Sequence, residues 1–201
     1  MDEKELIRSI KRDIDFTSGN YAQMYKRLKL NDSASRFFVV YYSTVSIMYG
    51  LFPLFFEDKI VSSAMLNFLM ISLSIIVLIA SLLISFAQYG ERSKKVMNGL
   101  DQLKRLKKLL QYDECASKKD KHLDYPKFIQ EYHEIVDNVE LRSDIDYFHA
   151  CKELYSSGKY RESWNQISYI TKFIMYAMSI LKCLFFLLLL LFPIIVLFVV
   201  F

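Results

Sequence analysis

Hydrophobic positions along the chain are concentrated in three uncharged runs, and charged positions lie outside these runs. Phe37–Phe56 has no charged residue in twenty positions, and Ala64–Ala87 has none in twenty-four. At about 1.5 Å per residue these runs would form helices of roughly 30 and 36 Å, enough to cross a hydrocarbon layer about 30 Å thick. The connector Glu57–Ser63 is only seven residues long. We therefore predict an antiparallel transmembrane hairpin over residues 37–87.

The third uncharged run, Cys183–Phe201, has nineteen residues and ends at the last residue of the sequence. It is just long enough to cross a bilayer. It carries no polar stripe, only Pro193, so we interpret it as a lipid-facing C-terminal transmembrane helix. The fold class predicted is an all-α membrane protein, with cytoplasmic N-terminal helices over 1–36, the hairpin over 37–87, a cytoplasmic helical region over 88–182 and the C-terminal span over 183–201.

Apolar residues at helical spacing also occur in the charged segments. An amphipathic N-terminal helix is expected to break at Thr17–Asn20, and a second one to end at Asn31–Ser33. The stripe Val96, Leu100, Leu103, Leu106 and Leu110 predicts that the second spanning helix continues as an amphipathic stalk, interrupted at most by Gly99. Residues 113–123 are expected to form a polar loop.

The rest of the cytoplasmic region has clear helix boundaries. Asp124 and Pro126 are typical of a helix start. The apolar register breaks near Asn138–Ser143, and Ser156–Gly158 should end the following helix. A stripe from Trp164 to Leu181 is expected to lead directly into the third uncharged run.

The distribution of cations predicts the orientation in the membrane. Of the 26 Lys and Arg residues, 8 lie in residues 1–36, 1 in residues 57–63 and 17 in residues 88–182. Because cytoplasmic segments of membrane proteins carry the excess of Lys and Arg, this pattern places both flanks of the hairpin in the cytoplasm. The N-terminus would then be cytoplasmic and the C-terminus outside. The charged first 36 residues do not resemble a cleavable signal peptide.

Polar positions inside the two hairpin helices form stripes. In the second helix they recur every seven residues, a spacing that keeps them on one side. Hydrocarbon offers such groups no partner, so they must face protein or water. Two interpretations remain open: close packing between helices, or a pore wall assembled from several copies. The candidate residues are Tyr42, Ser46, Tyr49, Asn67, Ser74, Ser81, Ser85 and Gln88.

The predicted stalk also has a basic face, whose members are Lys94, Lys95, Lys104, Arg105, Lys107 and Lys108. Such a face can bind nucleic acid. Since no Gly-rich loop or aromatic platform accompanies it, packing of the stalk against a partner helix fits better than direct nucleic-acid binding.

No catalytic constellation is visible in the sequence. His133 with Asp137, or Asp146 with His149, would supply only two metal ligands where three or more are needed. The three cysteines, an odd number without framework spacing, indicate reduced thiols. Cys151 is the one that we expect to be buried, but it lacks an evident activating base. We expect neither an enzyme nor a bound metal or cofactor.

The layout resembles the SLATT proteins, a bacterial group of small two-helix membrane effectors. The resemblance covers roughly residues 20–155, through the hairpin, the amphipathic helix Ser93–Leu110, and the stretch Tyr132–Asn138 leading to Asp144–Asp146. It implies an effector encoded beside a nucleotide-generating or reverse-transcriptase defence component, which perforates the inner membrane when triggered and stops phage spread. It implies no catalytic residues, and the third span departs from the two-helix pattern.

The function that this resemblance implies, together with the polar stripes, is that of an oligomeric effector in the bacterial inner membrane, which perforates or depolarises that membrane when triggered. The alternative is a non-conducting membrane scaffold that anchors a soluble partner through its basic cytoplasmic helices.

Overall fold

The computed structural model describes residues 3–55, 63–115, 124–158 and 160–200. Every regular element within these ranges is an α-helix, so the predicted all-α class is confirmed. The connector residues 56–62 and residues 116–123 of the predicted polar loop lie outside the described residues. The helices are α1 Glu3–Phe55, α2 Ser63–Ala87, α3 Tyr89–Cys115, α4 Tyr125–Asp137, α5 Asp144–Ser156, α6 Arg161–Gln166 and α7 Tyr169–Val200.

These helices form two compact units. Unit 1 comprises Met1–Lys29 and Gly90–Lys172, and unit 2 comprises Leu30–Tyr89 and Phe173–Phe201. Unit 1 contains most of the charged segments, whereas unit 2 contains all three uncharged runs.

Helix α1 is continuous over 53 residues. The predicted breaks at Thr17–Asn20 and Asn31–Ser33 are therefore wrong. The Thr17 and Tyr132 hydroxyls are hydrogen-bonded at 2.8 Å, and Asn20 is buried. Tertiary packing of this kind overrides the weak helix propensity of a Thr-Ser-Gly-Asn segment, in which each unfavourable residue costs about 1 kcal/mol or less.

Two helical glycines in unit 1 should respond oppositely to alanine. A Cβ at Gly19 would lie 3.5 Å from the Ala150 Cβ, an ordinary contact, whereas a Cβ at Gly99 would lie 2.8 Å from Val139 Cγ2. Gly19→Ala should raise the free energy of unfolding by about 0.5–1 kcal/mol, since alanine is the better helix former. Gly99→Ala should lower it by about 1–3 kcal/mol, because the β-branched valine cannot move away easily. Chemical denaturation of both variants tests the pair, and a gain for Gly99→Ala would refute the close contact.

The junction between α2 and α3 differs from the predicted stalk. Gly99 lies inside α3, and the helix is interrupted instead at Gln88, whose φ is 47°. The predicted polar loop also begins later than expected. Helix α3 runs to Cys115, and Asp113 is buried and accepts a hydrogen bond of 3.0 Å from the Tyr125 hydroxyl.

The core of unit 1 is built on the apolar stripe predicted for α3. Its five members, Val96, Leu100, Leu103, Leu106 and Leu110, are all buried. They share the core with Ile14, Met24 and Leu28 of α1 and with Phe128, Ile135 and Phe148 of α4 and α5.

The predicted boundaries of α4 and α5 are confirmed. Asp124 caps α4 just before Pro126, and Ser143 forms a capping box with Asp146 at the start of α5. Helix α5 ends at Ser156, and Gly158 follows with a positive φ of 77°. The stripe from Trp164 to Leu181 is not one helix, since α6 ends at Gln166 and α7 begins at Tyr169.

Candidate functional site: the polar groups of the membrane helices

Helices α1 and α2 pack antiparallel within unit 2. The hydroxyl oxygens of Ser46 and Ser74 lie 3.4 Å apart. One turn further along α1, a Cβ on Gly50 would come within 2.6 Å of the Met70 Cε. Contacts that advance along α1 while they retreat along α2 define an antiparallel pair, as the hairpin prediction requires. The small residues at the contact let the two backbones approach closely.

Helices α1 and α7 pack parallel within unit 2. The rings of Phe38 and Phe186 stack with centroids 5.7 Å apart. Further along both helices, the Tyr42 hydroxyl donates to the Leu189 carbonyl at 2.6 Å, and the Tyr49 hydroxyl donates to the Pro193 carbonyl. The contacts advance together along the two helices, which therefore run in the same direction.

The uniform apolar sequence of α7 predicted a helix that faces lipid on every side. The structure shows instead that one side of α7 packs against α1. Pro193 is buried, and three backbone carbonyls of α7 accept hydrogen bonds from tyrosine hydroxyls of α1. The third of these bonds joins Tyr41 to Leu190 at 2.9 Å. Hydrogen bonds between helices are one of the forces that associate helices in lipid.

The polar stripe of α2 is only partly used in contacts within the chain. Ser74 is hydrogen-bonded to the Met70 carbonyl at 2.9 Å and lies next to Ser46. The other members are exposed, and within the described residues they make no hydrogen bond through their side chains. They are Asn67, Ser81, Ser85 and Gln88.

Two helices are long and apolar enough to cross a membrane by length and composition. They lie within Met70–Asp113 and Tyr169–Ile195, and the most apolar part of each has a mean hydropathy of 2.6. The most apolar part of the first helix is 0% buried, and the most apolar part of the second helix is 6% buried. A core helix of a soluble protein would be mostly buried, so this exposure indicates membrane helices. The first uncharged run ends outside the described residues, and its crossing of the membrane remains a prediction.

The basic face of α3 is smaller than the sequence suggested. Lys107 is half-buried and pairs with the buried carboxylate of Asp15, which also accepts a hydrogen bond of 3.2 Å from Tyr160. Lys104 pairs with Asp101 at 3.2 Å on the surface. The exposed members of the face are Lys94, Lys95, Lys104, Arg105 and Lys108.

Two of the residues considered for chemistry, Asp146 and Cys151, have structural partners in unit 1. Both carboxylate oxygens of Asp146 accept hydrogen bonds from Arg27 at 2.9 Å, so that carboxylate is committed to an ion pair. Burial raises the pKa of the Cys151 thiol, while a hydrogen bond from Tyr147 and the charge of Arg142 act in the opposite direction. A raised pKa disfavours the nucleophilic thiolate. The described residues contain no group of three His, Cys, Asp or Glu residues that could hold a metal ion.

Sequence reasoning missed two residues at the helix contacts and the partner of a third. Gly50 and Tyr41 were not singled out, and Pro193 was noted without a partner. A signal was available for Gly50, because small residues mark close helix packing in membranes. The acceptors of the tyrosine hydroxyls are backbone carbonyls almost 150 positions away, and no side-chain pattern identifies them.

The chain matches the profile of a known protein family. The sequence profile described as SMODS and SLOG-associating 2TM effector domain family 5 matches residues 3–199. No curated protein and no solved structure matches the chain.

Proposed function

The chain belongs to the family of SMODS and SLOG-associating 2TM effector domains and is thus a membrane effector associated with defence systems; on this premise we propose that it oligomerises in the bacterial inner membrane and depolarises that membrane when triggered. The pore is formed by several copies, and the result is abortive infection. The family is described as an effector domain, and the proposal assigns no catalytic step to any residue.

The observation that carries this proposal is the unused part of the α2 stripe. Asn67, Ser81 and Ser85 are exposed in the single chain, on the side of the helix where Ser74 meets Ser46. Polar side chains inside a bilayer face protein or water because lipid tails offer them no partner. A ring of copies supplies both protein and water as partners. Neighbouring hairpins cover part of the stripe, and a water-filled channel hydrates the rest.

The distribution of charge supports a cytoplasmic N-terminus, an outside C-terminus and a cytosolic trigger. The parallel contacts of α1 with α7 agree with two helices that cross from the same side. The signal reaches the basic face of α3, where exposed cations such as Lys94, Lys95 and Arg105 complement an anionic ligand or surface. The proposed source is a nucleotide-generating or reverse-transcriptase component encoded nearby, or its product.

A membrane-potential dye in cells that express the full chain tests the proposal. Depolarisation at high expression, without any partner gene, is the expected result, because crowding of copies favours assembly. The same basic face, flanked by the exposed Leu109 and Tyr112, also suits a scaffold that recruits a soluble protein. An intact potential in cells where the chain reaches the membrane and retains a partner would favour that scaffold and contradict the pore.

A further inference from the structure

Pro193 creates an unsatisfied backbone group inside α7. It lies in the interior of the helix, and proline has no backbone N–H. The carbonyl of Leu189, four residues earlier, therefore lacks its usual helical donor. In the hydrocarbon region of a bilayer no water supplies a replacement donor, so an unsatisfied carbonyl there is unfavourable. A neighbouring helix that offers a donor at this level is strongly favoured over lipid.

Helix α1 offers that donor. The Tyr42 hydroxyl is 2.6 Å from the Leu189 carbonyl oxygen, the acceptor that proline leaves free. Tyr41 donates to the next carbonyl, that of Leu190, at 2.9 Å, and Tyr49 donates to the carbonyl of Pro193 itself. Three hydroxyls of one helix thus bind the carbonyls around the proline of the other.

Interfacial anchoring does not account for all three tyrosines. Tyrosine is enriched where membrane helices meet the headgroups. Tyr49, however, lies twelve residues beyond the start of the uncharged run at Phe37, well into the span, and is only 8% exposed. A phenol buried at that depth needs an acceptor on a neighbouring helix, and the Pro193 carbonyl is that acceptor.

We propose that Pro193 is the residue that selects α1 as the partner of α7 and fixes the register of the pair, because it frees the Leu189 carbonyl that the Tyr42 hydroxyl binds. The C-terminal helix is then a defined member of the helix assembly and cannot be exchanged for a generic apolar anchor. This assignment concerns the pairing of α1 with α7 in one chain. It stands whether or not the assembled protein conducts ions.

A double-mutant cycle on the full chain tests this pairing. The variants are Tyr42→Phe, Pro193→Leu and their combination, each carrying fluorophores on Val40→Cys and Leu187→Cys, two exposed positions of α1 and α7, with the native cysteines replaced. Energy transfer in detergent micelles titrated with dodecyl sulfate gives the equilibrium constant for separation of the two helices. Tyr42→Phe should raise that constant by about threefold or more, the usual effect of losing one such bond in a membrane protein. In the Pro193→Leu background, the rise in this constant caused by Tyr42→Phe should be less than half as large. The reason is that the backbone N–H of residue 193 again donates to the Leu189 carbonyl.

Tyr41→Phe is the matched control. Its acceptor, the Leu190 carbonyl, has a helical donor in the N–H of residue 194 whichever residue stands at 193, so its effect should be the same in both backgrounds. Pro193→Ala repeats the cycle with a smaller side chain, in case leucine disturbs the packing at 193. Equal effects of Tyr42→Phe in the proline and non-proline backgrounds would overturn the proposal, as would no effect of Tyr42→Phe in the natural background.

Discussion

Replacing Arg27 with alanine should lower the free energy of unfolding of unit 1 by about 3 kcal/mol, the lower end of the range for breaking a buried ion pair. Asp146 is 1% exposed, and the Arg27 guanidinium holds both of its carboxylate oxygens at 2.9 Å. Without the arginine this carboxylate stays buried next to the Ser143 backbone N–H and hydroxyl alone, at 3.1 and 2.7 Å. These two donors keep the loss at the lower end of the range.

The fluorescence of Trp164 measures this loss, because it is the only tryptophan of the chain and stacks on Tyr155 within unit 1. Lys26→Ala is the matched control. Lys26 neighbours Arg27 and pairs with Glu153 at 3.5 Å, but both side chains are at least 60% exposed. Exposed pairs are worth about 0–1 kcal/mol, so this variant should unfold almost like the natural chain. Similar small losses for both variants would mean that Asp146 is not held by Arg27.

The double replacement Ser74→Leu and Ser81→Leu should abolish conductance and leave the oligomer intact. Two leucines per copy would line a channel with bulky apolar groups, which favour a dewetted, closed constriction. If the stripe only packs helices, the same change adds bulk where Ser74 meets Ser46 inside the hairpin, so the hairpin should loosen and any oligomer built from it should fall apart. Dye measurements of membrane potential and chemical cross-linking, made on the same cells, separate the two interpretations.

Ser72→Leu is the control for this experiment. It makes the same substitution on the same helix but outside the seven-residue repeat, and should leave both conductance and cross-linking unchanged. Normal conductance in the Ser74→Leu and Ser81→Leu variant would remove the stripe from the channel wall.

Local periodicity was sufficient to predict much of the fold. The stripe from Val96 to Leu110 is buried as expected, because each member lies on one side of a single helix. The boundaries at Asp124 and Ser143 were also predictable, since a capping residue acts on its own helix.

The features that could not be predicted depend on partners far along the chain. The segment Thr17–Asn20 is helical because it packs against later helices, and Thr17 bonds Tyr132, 115 positions away. Lys107 leaves the basic face because it pairs with Asp15, 92 positions away. The stripe of α2 was visible in the sequence, but the positive φ of Gln88 at its end was not, because no glycine or asparagine marks it.

We expect assembled copies of this chain to make a membrane conduct without any other protein. The most direct test uses the purified full chain in liposomes that hold a potassium gradient, with a potential-sensitive dye. We predict that the valinomycin-induced potential collapses as the protein-to-lipid ratio rises, in step with the appearance of cross-linked oligomers. A potential that persists at ratios where the oligomers are abundant would contradict the claim.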